Sequence, residues 1–176
     1  SRDYGYPSSI TGSDNFSYNS LLVIAKPPTQ APTITTNTIG ESDLYMEDKF
    51  LCFAYRYKYE DNEYSATSQF TNPVFVPNNF SISNGLNQGM INSINSAIIS
   101  FNTGDALVTG IDILFKESTS NAIKLIESLD KSKLNYGNNL IETYSFNNKK
   151  IFTILSSGEI LRLYDNVPLL ANAQTL

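Results

Sequence analysis

The sequence predicts an all-β fold, an antiparallel β-sandwich with extended segments on either side of it. Apolar and polar residues alternate over short stretches, turn-forming residues separate these stretches, and no strong stripe of helical spacing occurs. A hydrophobic content of 41%, with 11 Tyr and 10 Phe, is typical of a chain that buries a core. The length of 176 residues suits one ordinary domain with flanking segments, or two small domains.

Prolines indicate a boundary near the start of the chain. Residues 1–20 are rich in Ser, Tyr, Asn and Gly, and residues 26–32 hold three prolines, which fix φ and remove hydrogen-bond donors. We predict an N-terminal segment and Pro-rich linker over residues 1–30, which can be the end of a preceding domain. The sandwich domain is predicted over residues 31–155 and the start of a following region over residues 156–176. The partly apolar last residues suggest a fragment of a longer protein.

Several strands follow from alternation alone. The β-branched stretch 32–36 predicts the first strand. Residues 97–101 predict another, although residues 90–99 also fit a helical spacing. Residues 111–115 and 123–125 are predicted to pair as an antiparallel hairpin. Residues 140–146 and 150–155 are predicted to form another hairpin, with its turn at Asn147-Asn148. Residues 157–164 are compatible with a short turn of helix before Pro168.

The segment FLCFAYRYKYEDNEYSATSQF, residues 50–70, places aromatic rings at alternate positions. A two-residue loop at Asp61-Asn62 would make these residues a hairpin. The pairs would then be Tyr59 with Tyr64, Tyr57 with Ala66, Tyr55 with Ser68 and Phe53 with Phe70.

The two faces of this predicted hairpin differ in polarity. The face that carries Arg56 and Lys58 is predicted to be solvated, which leaves the aromatic face for the core. We therefore expect Phe53, Tyr55 and Phe70 in the core. Contacts with a partner are expected at the hairpin tip, from Tyr59, Asp61, Asn62 and Tyr64.

The residue types exclude most catalytic chemistry. The sequence has no histidine, which removes the usual base of nucleophilic triads and the commonest zinc ligand. Cys52 lacks a neighbouring base and is interpreted as a packing thiol, and no glycine-rich phosphate loop occurs. We predict no enzyme activity, no catalytic residue and no cofactor.

The carboxylates suggest two alternative functions, a Ca²⁺ site and a glycosidase. Both are weaker interpretations than ordinary surface charges. Glu60, Asp61 and Glu63 could offer oxygen ligands to Ca²⁺, but they lack the spacing of an EF-hand loop, and we predict no metal. Asp112 with Glu127 or Glu142 could form the carboxylate pair of a glycosidase, yet nothing in the sequence selects such a pair.

The net charge of −5 and the pI near 4.6 give no general attraction to nucleic acid or anionic lipid. The sequence contains no apolar run of membrane-spanning length, and its first residues lack the order of a signal peptide. We therefore expect neither direct nucleic-acid binding nor a membrane partner.

The order of several segments resembles a known family. The segments are PPTQAPTITTN, FAYRYKYEDNEYSATSQF, GMINSINSAIISFNTG, ALVTGIDILFKES, IKLIESLDK and ILRLYDNVPLLANAQ. They resemble the large nozzle or muzzle-type tail structural proteins of crAss-like podoviruses, which infect Bacteroidetes hosts. The resemblance runs from about Ala31 to Leu176, and YRYKYEDNEYSATS, GIDILFKES and RLYDNVP are its most specific parts.

The resemblance implies a fibronectin-III or immunoglobulin-like sandwich in a virion tail protein. It implies a structural role with no catalytic residues, and partners that are other copies of the chain and neighbouring tail or virion proteins. The alternative is a carbohydrate-binding or adhesin-type module of a bacterial surface protein, located outside the cell, in which exposed tyrosines would stack on sugar rings.

Overall fold

The computed structural model describes residues 25–38, 45–83 and 85–164. Within these ranges, antiparallel strands form two sheets that pack face to face, so the predicted all-β sandwich is confirmed. The strands are β1 (Thr33–Asn37), β2 (Leu51–Tyr59), β3 (Ile82–Ser83), β4 (Leu86–Asn87), β5 (Ser96–Asn102), β6 (Val108–Glu117), β7 (Ile123–Asp130), β8 (Ile141–Phe146) and β9 (Thr153–Ile154). A 3-10 helix covers Gln88–Met90 and helix α1 covers Ser157–Tyr164.

The strands divide into a first sheet, ordered β1-β5-β8, and a second sheet, ordered β2-β6-β7-β9, while β3 and β4 pair only with each other among the described strands. The core between the sheets is aromatic and aliphatic. Phe53 and Tyr55 of β2 are buried there as predicted, and Phe53 contacts Phe146 of the first sheet with ring centroids 5.2 Å apart. Burying a side chain of this size stabilises the fold by about 1.5–3 kcal/mol.

Most connections cross from one sheet to the other. Among the described strands of the two sheets, β6 and β7 are the one consecutive pair joined as a hairpin, which confirms the predicted return of 111–115 through 123–125. The predicted hairpin of 140–146 with 150–155 is wrong. Strand β8 pairs with β5 in the first sheet and β9 pairs with β7 in the second, because the turn at Asn147-Asn148 carries the chain across the core.

The hairpin predicted around Asp61-Asn62 is also wrong in its pairing. The ladder partner of β2 is β6, in a register that sets Arg56 opposite Asp112. Residues 64–74 do follow the free edge of β2, but as an irregular chain that advances three residues for every two of the strand. The predicted match of Phe53 with Phe70 is therefore lost.

Hydroxyl groups satisfy this edge of β2. At every third residue of the edge segment, the backbone N–H donates to a β2 carbonyl and the hydroxyl oxygen accepts from the N–H of the same β2 residue. The pairs are Ser65 with Tyr57, Ser68 with Tyr55 and Thr71 with Phe53. The segment thus covers a strand edge that would otherwise be open to pairing with another chain.

Much of the outer face of the second sheet is buried too, which corrects the prediction that it is solvated. Cys52, Ala54 and Arg56 are all buried on this face. Leu114, Ile123, Leu155 and Leu163 form a second apolar cluster, against which Phe70 packs half-buried instead of in the core between the sheets. Arg56 can be buried because its charge is paired with Asp112, so a charged position need not mark a wet face.

Helix α1 agrees with the turn of helix predicted for 157–164. Its start has the reciprocal contacts of a capping box: the Ser156 N–H donates to Glu159 Oε2 at 2.9 Å, and the Glu159 N–H donates to Ser156 Oγ at 3.3 Å. These contacts lower the pKa of Glu159. Leu163 anchors the helix on the second apolar cluster, while residues 1–24 and 165–176 of the predicted flanking regions lie outside the described residues.

Candidate interaction surface

A row of three tyrosines, Tyr55, Tyr57 and Tyr59, runs along β2. Tyr57 donates from its hydroxyl to the Asn102 carbonyl at 3.2 Å, and the Asn102 N–H donates to the Tyr55 hydroxyl at 3.4 Å. The Tyr59 hydroxyl donates to the carbonyl of Lys26 at 2.8 Å. The row therefore binds the two sheets together and holds the start of the Pro-rich segment against the sandwich.

A groove of about 540 Å³ lies between this row and the Pro-rich segment. Burial raises the pKa of Tyr59 to about 12, and the charges of Asp105 and Asp61 add to the shift. Burial likewise raises the pKa of Tyr57. Both hydroxyls therefore stay protonated near neutral pH and keep donating to the backbone carbonyls of their partners.

A buried lysine holds the turn formed by Gly104 and Asp105, two residues that line the groove. Lys131 Nζ donates to the carbonyls of Asp105, at 2.6 Å, and Gly104, at 3.3 Å, and to Asn138 Oδ1 at 2.8 Å. Burial lowers the pKa of Lys131, and the charge of Asp105 opposes that shift. The ammonium group of Lys131 is thus bonded within its own chain and is not a free cation for a ligand in the groove.

The tyrosine row offers little surface for stacking on a ligand. Tyr57 is only 7% exposed and Tyr55 is buried. Tyr59, one of the predicted contact residues, is half-buried and its hydroxyl is already bonded. A sugar ring would therefore find no open aromatic face on this row inside the groove.

The other predicted contact residues lie at the tip that follows β2. Asp61 and Asn62 are exposed, and Asp61 Oδ1 accepts from the Glu63 N–H at 2.9 Å, while Asn62 takes a positive φ of 64° to make the turn. Tyr64 is 40% exposed, and the Arg56 guanidinium lies 4.0 Å from its ring centroid. One face of the Tyr64 ring is thus covered by its own chain, although the residue as a whole stays accessible at the tip.

The carboxylates considered for chemistry do not assemble into a site. Asp112 accepts from Arg56 and Ser128, whereas Glu127, on the opposite face of the second sheet, contacts Lys150 and Tyr144. Glu142 belongs to the other sheet. In the described ranges, no three side chains of His, Cys, Asp or Glu lie close enough to hold a metal ion.

The feature that the sequence reasoning missed is a projecting hairpin, residues 78–91, which we call the arm. It is built on β3 and β4, and Gly85 has the positive φ of 77° that its tight turn requires. Two signals could have revealed it: the Asn-Gly pair at 84–85, which favours a two-residue hairpin turn, and the isoleucine and leucine beside it.

The arm exposes its large apolar side chains to solvent. Phe80 is 75% exposed, Ile82 72%, Leu86 66% and Met90 58%. Because Ile82 pairs with Asn87 and Leu86 pairs with Ser83, the two aliphatic side chains leave opposite faces of the hairpin. Neither face of the arm is therefore packed against the described part of the sandwich.

The base of the arm is held firmly. Asn92 is buried, and its Oδ1 accepts from the Val76 N–H at 3.1 Å while its Nδ2 donates to the Met46 carbonyl at 3.3 Å. The Asn92 N–H also donates to the Glu47 carbonyl at 2.9 Å. The arm is thus a fixed projection at its root, although its end is in solvent.

Charge is absent from this whole region of the sequence. Residues 64–104 contain no Asp, Glu, Lys or Arg, in a chain that has 29 such residues from 12 basic and 17 acidic ones. The polar groups of the arm are Asn, Ser and Gln side chains. This composition suits contact with another protein surface, since charged residues are depleted at the centre of protein interfaces.

Comparisons with known proteins identify no relative. No protein-family description matches the chain, no curated protein matches it, and no solved structure matches it. No helix within the described residues is long and apolar enough to span a membrane.

Proposed function

We propose that this chain is a structural module of a bacteriophage tail or virion protein, which acts through protein-protein contacts in an oligomeric assembly. The observation that carries the proposal is the uncharged arm with its four exposed apolar side chains. Exposed apolar surface of this extent in a soluble protein marks an interaction site. The segments that resemble crAss-like tail proteins supply the virion context.

The two-sheet core supports a structural role. Buried side chains lie on both faces of the second sheet, and the edge of β2 is covered by the hydroxyl-bearing segment. Such a module is rigid, and it restricts its contacts to projections and loop ends. The proposal assigns the chain no catalytic residue and no cofactor.

The proposal also keeps the fibronectin-III or immunoglobulin-like type of sandwich that the resemblance implies. The order of the strands does not support this type. The first two strands of those folds lie in the same sheet, whereas β1 and β2 lie in different sheets.

Labelling of virus particles tests the proposed function. Antibodies raised against this chain should decorate the tails of phage particles from a Bacteroidetes host that carries the gene, as seen by immunogold electron microscopy. Mass spectrometry of purified particles should detect the chain in several copies per particle. Particles that lack the protein, with the chain found instead on the bacterial surface, would refute the virion role.

Carbohydrate binding remains the alternative, and Tyr64 is the residue on which it is best tested. Tyr57 is buried, so its replacement by Ala would disturb the core. Tyr64 is 40% exposed at the tip. Specific glycan-array signals that disappear in Tyr64→Ala but persist in Tyr45→Ala would favour the alternative over the assembly role.

A further inference from the structure

A second hollow, also of about 540 Å³, lies where β6 begins and β7 ends, and we call it the lysine pocket. Its charged lining residues are three lysines, Lys58, Lys131 and Lys133, and one aspartate, Asp130. The whole chain has a net charge of −5, so this pocket is a basic place on an acidic molecule. Its volume is typical of pockets that hold small organic ligands. The pocket therefore suits a small ligand that carries negative charge.

Two neighbouring rows of paired residues cross the outer face of the second sheet at this pocket. In the first row, the Asp112 carboxylate lies between Arg56 and Ser128 and contacts them at 2.9 Å and 2.6 Å. In the next row, Gly110 takes the middle position beside Lys58. Because glycine has no side chain, no carboxylate stands beside Lys58 as Asp112 stands beside Arg56. The second row thus has a cation without the anion that the first row has.

The ammonium group of Lys58 is left without a counter-charge. The lysine stem packs on Gly110, since a Cβ at Gly110 would lie 3.6 Å from Lys58 Cβ and 3.9 Å from its Cδ. Among the described residues, Lys58 Nζ makes no hydrogen bond and no ion pair, and the centroid of the Tyr64 ring is 5.9 Å away. Lys58 is half-buried and has therefore lost part of its hydration. A bound anion would replace that lost solvation, which makes Lys58 the anchor for a negatively charged group.

Asp130 sets a second requirement on the ligand. Its Oδ1 accepts from the Ser132 N–H at 3.0 Å, the Ser132 hydroxyl at 2.7 Å and the Lys133 N–H at 3.1 Å. Hydrogen bonds, first from the Ser132 side chain and then from the Lys133 N–H, lower the pKa of Asp130 to about 2. Its Oδ2 lies 3.5 Å from Lys133 Nζ and has no closer partner among the described residues. The ionised carboxylate repels a ligand that is purely anionic, whereas a hydroxyl group can donate to Oδ2.

Asn138 and Tyr136 complete the lining on the side of the turn that follows β7. Asn138 Oδ1 accepts from Lys131 Nζ at 2.8 Å, while its Nδ2 has no partner among the described residues. This Nδ2 is thus left to donate to a ligand oxygen. Tyr136 is half-buried and adds an apolar ring to the pocket. A sugar ring combines hydroxyl groups with apolar C–H groups, so it matches both residues.

We propose that the lysine pocket binds a small sugar acid, meaning a sugar that carries one carboxylate or phosphate group. The anionic group contacts Lys58 Nζ, and the hydroxyl groups bond to Asp130 Oδ2 and Asn138 Nδ2. This site goes beyond the proposed assembly role and does not depend on it. It also differs from the glycan contact considered at Tyr64, which does not line the pocket.

The first experiment is an NMR titration of the isotope-labelled full chain with sodium glucuronate. The backbone amide signals of Gly110 and Ser132 should shift, with a dissociation constant of about 1 mM. Glucose is the matched ligand control, because it has a similar ring and no charge, and it should leave both signals in place. The phosphate monoester of glucose is titrated in parallel. Binding of either acid supports the proposal, and the tighter of the two identifies the anionic group that the pocket prefers.

The second experiment removes the charge of Lys58. Lys58→Met keeps the stem on Gly110 and should weaken glucuronate binding at least about tenfold, whereas Lys58→Arg keeps the charge and should retain binding. Lys150→Met is the matched control, since it removes one lysine charge beside Glu127, outside the pocket, and should bind like wild type. All three variants should unfold at the wild-type temperature, because the Lys58 stem keeps its packing and Lys150 is exposed.

Each contrary outcome overturns this inference and leaves the proposed function untouched. Equal shifts with glucose would show that charge plays no part, and unchanged binding in Lys58→Met would place the anion elsewhere. Acetate or inorganic phosphate that binds as tightly as the sugar acids would reveal an adventitious anion site without recognition of hydroxyl groups. The absence of any shift at tens of millimolar of both sugar acids would remove the site altogether. Gold labelling of tails tests the assembly role independently of all these results.

Discussion

Arg56 and Asp112 meet at paired positions of β2 and β6, with Nη2 of the arginine 2.9 Å from Oδ2 of the aspartate. Both side chains are almost completely buried. The Ser128 hydroxyl donates to the other carboxylate oxygen at 2.6 Å, and the Tyr64 ring lies over the guanidinium. The buried ion pair is thus supported by a hydroxyl group on the carboxylate and an aromatic ring on the guanidinium, and Tyr64 at the tip contacts a buried side chain.

Breaking this pair should destabilise the fold strongly. Arg56→Leu leaves the Asp112 carboxylate buried without its counter-charge, and we expect a loss of about 3–5 kcal/mol in the free energy of unfolding measured with urea. The double variant Arg56→Leu with Asp112→Val removes both charges and should recover most of that loss. A double variant as unstable as the single one would mean that the packing of the arginine stem, and not the ion pair, matters here.

The hydroxyl contacts along the edge of β2 make a second prediction. Ser68→Ala removes the acceptor of the buried Tyr55 N–H, which leaves that donor unsatisfied and should cost about 1–3 kcal/mol in a urea titration. The exposed Ser118→Ala is the matched control and should change stability by less than about 0.5 kcal/mol. Equal effects of the two substitutions would show that the edge of β2 finds another acceptor.

Alternation along the chain was enough to predict the sandwich but not the pairing of its strands. Period-2 patterns identify strands such as 97–101 and 111–115 because each has a face in the core. They do not tell whether the chain returns beside the same strand or crosses to the other sheet, and turn residues such as Asn147-Asn148 serve both purposes. The burial of Arg56 was missed for a related reason: its partner lies 56 residues away in the sequence.

The four residues predicted to contact a partner differ in their position in the fold. Asp61, Asn62 and Tyr64 are at an exposed tip, but Tyr59 is used within the fold, since its hydroxyl reaches the Lys26 carbonyl. The arm was missed because its strands are two residues long, which is too short for a periodic pattern to appear. In the sequence, the apolar residues of the arm look like core residues, because the stretch around them has no charge. The structure shows that no described residue covers them.

Of the two glycines with a positive φ in the described part of the chain, Gly104 should be the less replaceable. A Cβ at Gly104 would lie 2.7 Å from Val108 Cγ2 and 3.1 Å from the Tyr57 ring, and the backbone φ is 71°. We expect Gly104→Ala to cost at least about 2 kcal/mol in thermal or urea unfolding. Gly85→Ala, at φ 77° in open space, should cost no more than the roughly 1–2 kcal/mol of its backbone conformation, and a larger loss there than at Gly104 would contradict this account.

Stability should fall at alkaline pH through Tyr59. Burial raises its pKa to about 12 in the folded chain, above the ordinary value of about 10, so the folded state holds this proton more tightly than the unfolded state. The resulting stabilisation is complete below about pH 10 and is lost as the pH rises toward about 12.

Urea titrations at several pH values from 8 to 11.5 should show a shallower decline in the free energy of unfolding for Tyr59→Phe than for wild type. The Cys52 shift is the same in both proteins and cancels in this comparison, whereas the Tyr57 pKa is raised less in Tyr59→Phe because the charge of Tyr59 contributes to it, which also makes the decline shallower. The exposed Tyr45→Phe should follow wild type, and parallel curves for all three proteins would place the Tyr59 hydroxyl in solvent instead of on the Lys26 carbonyl.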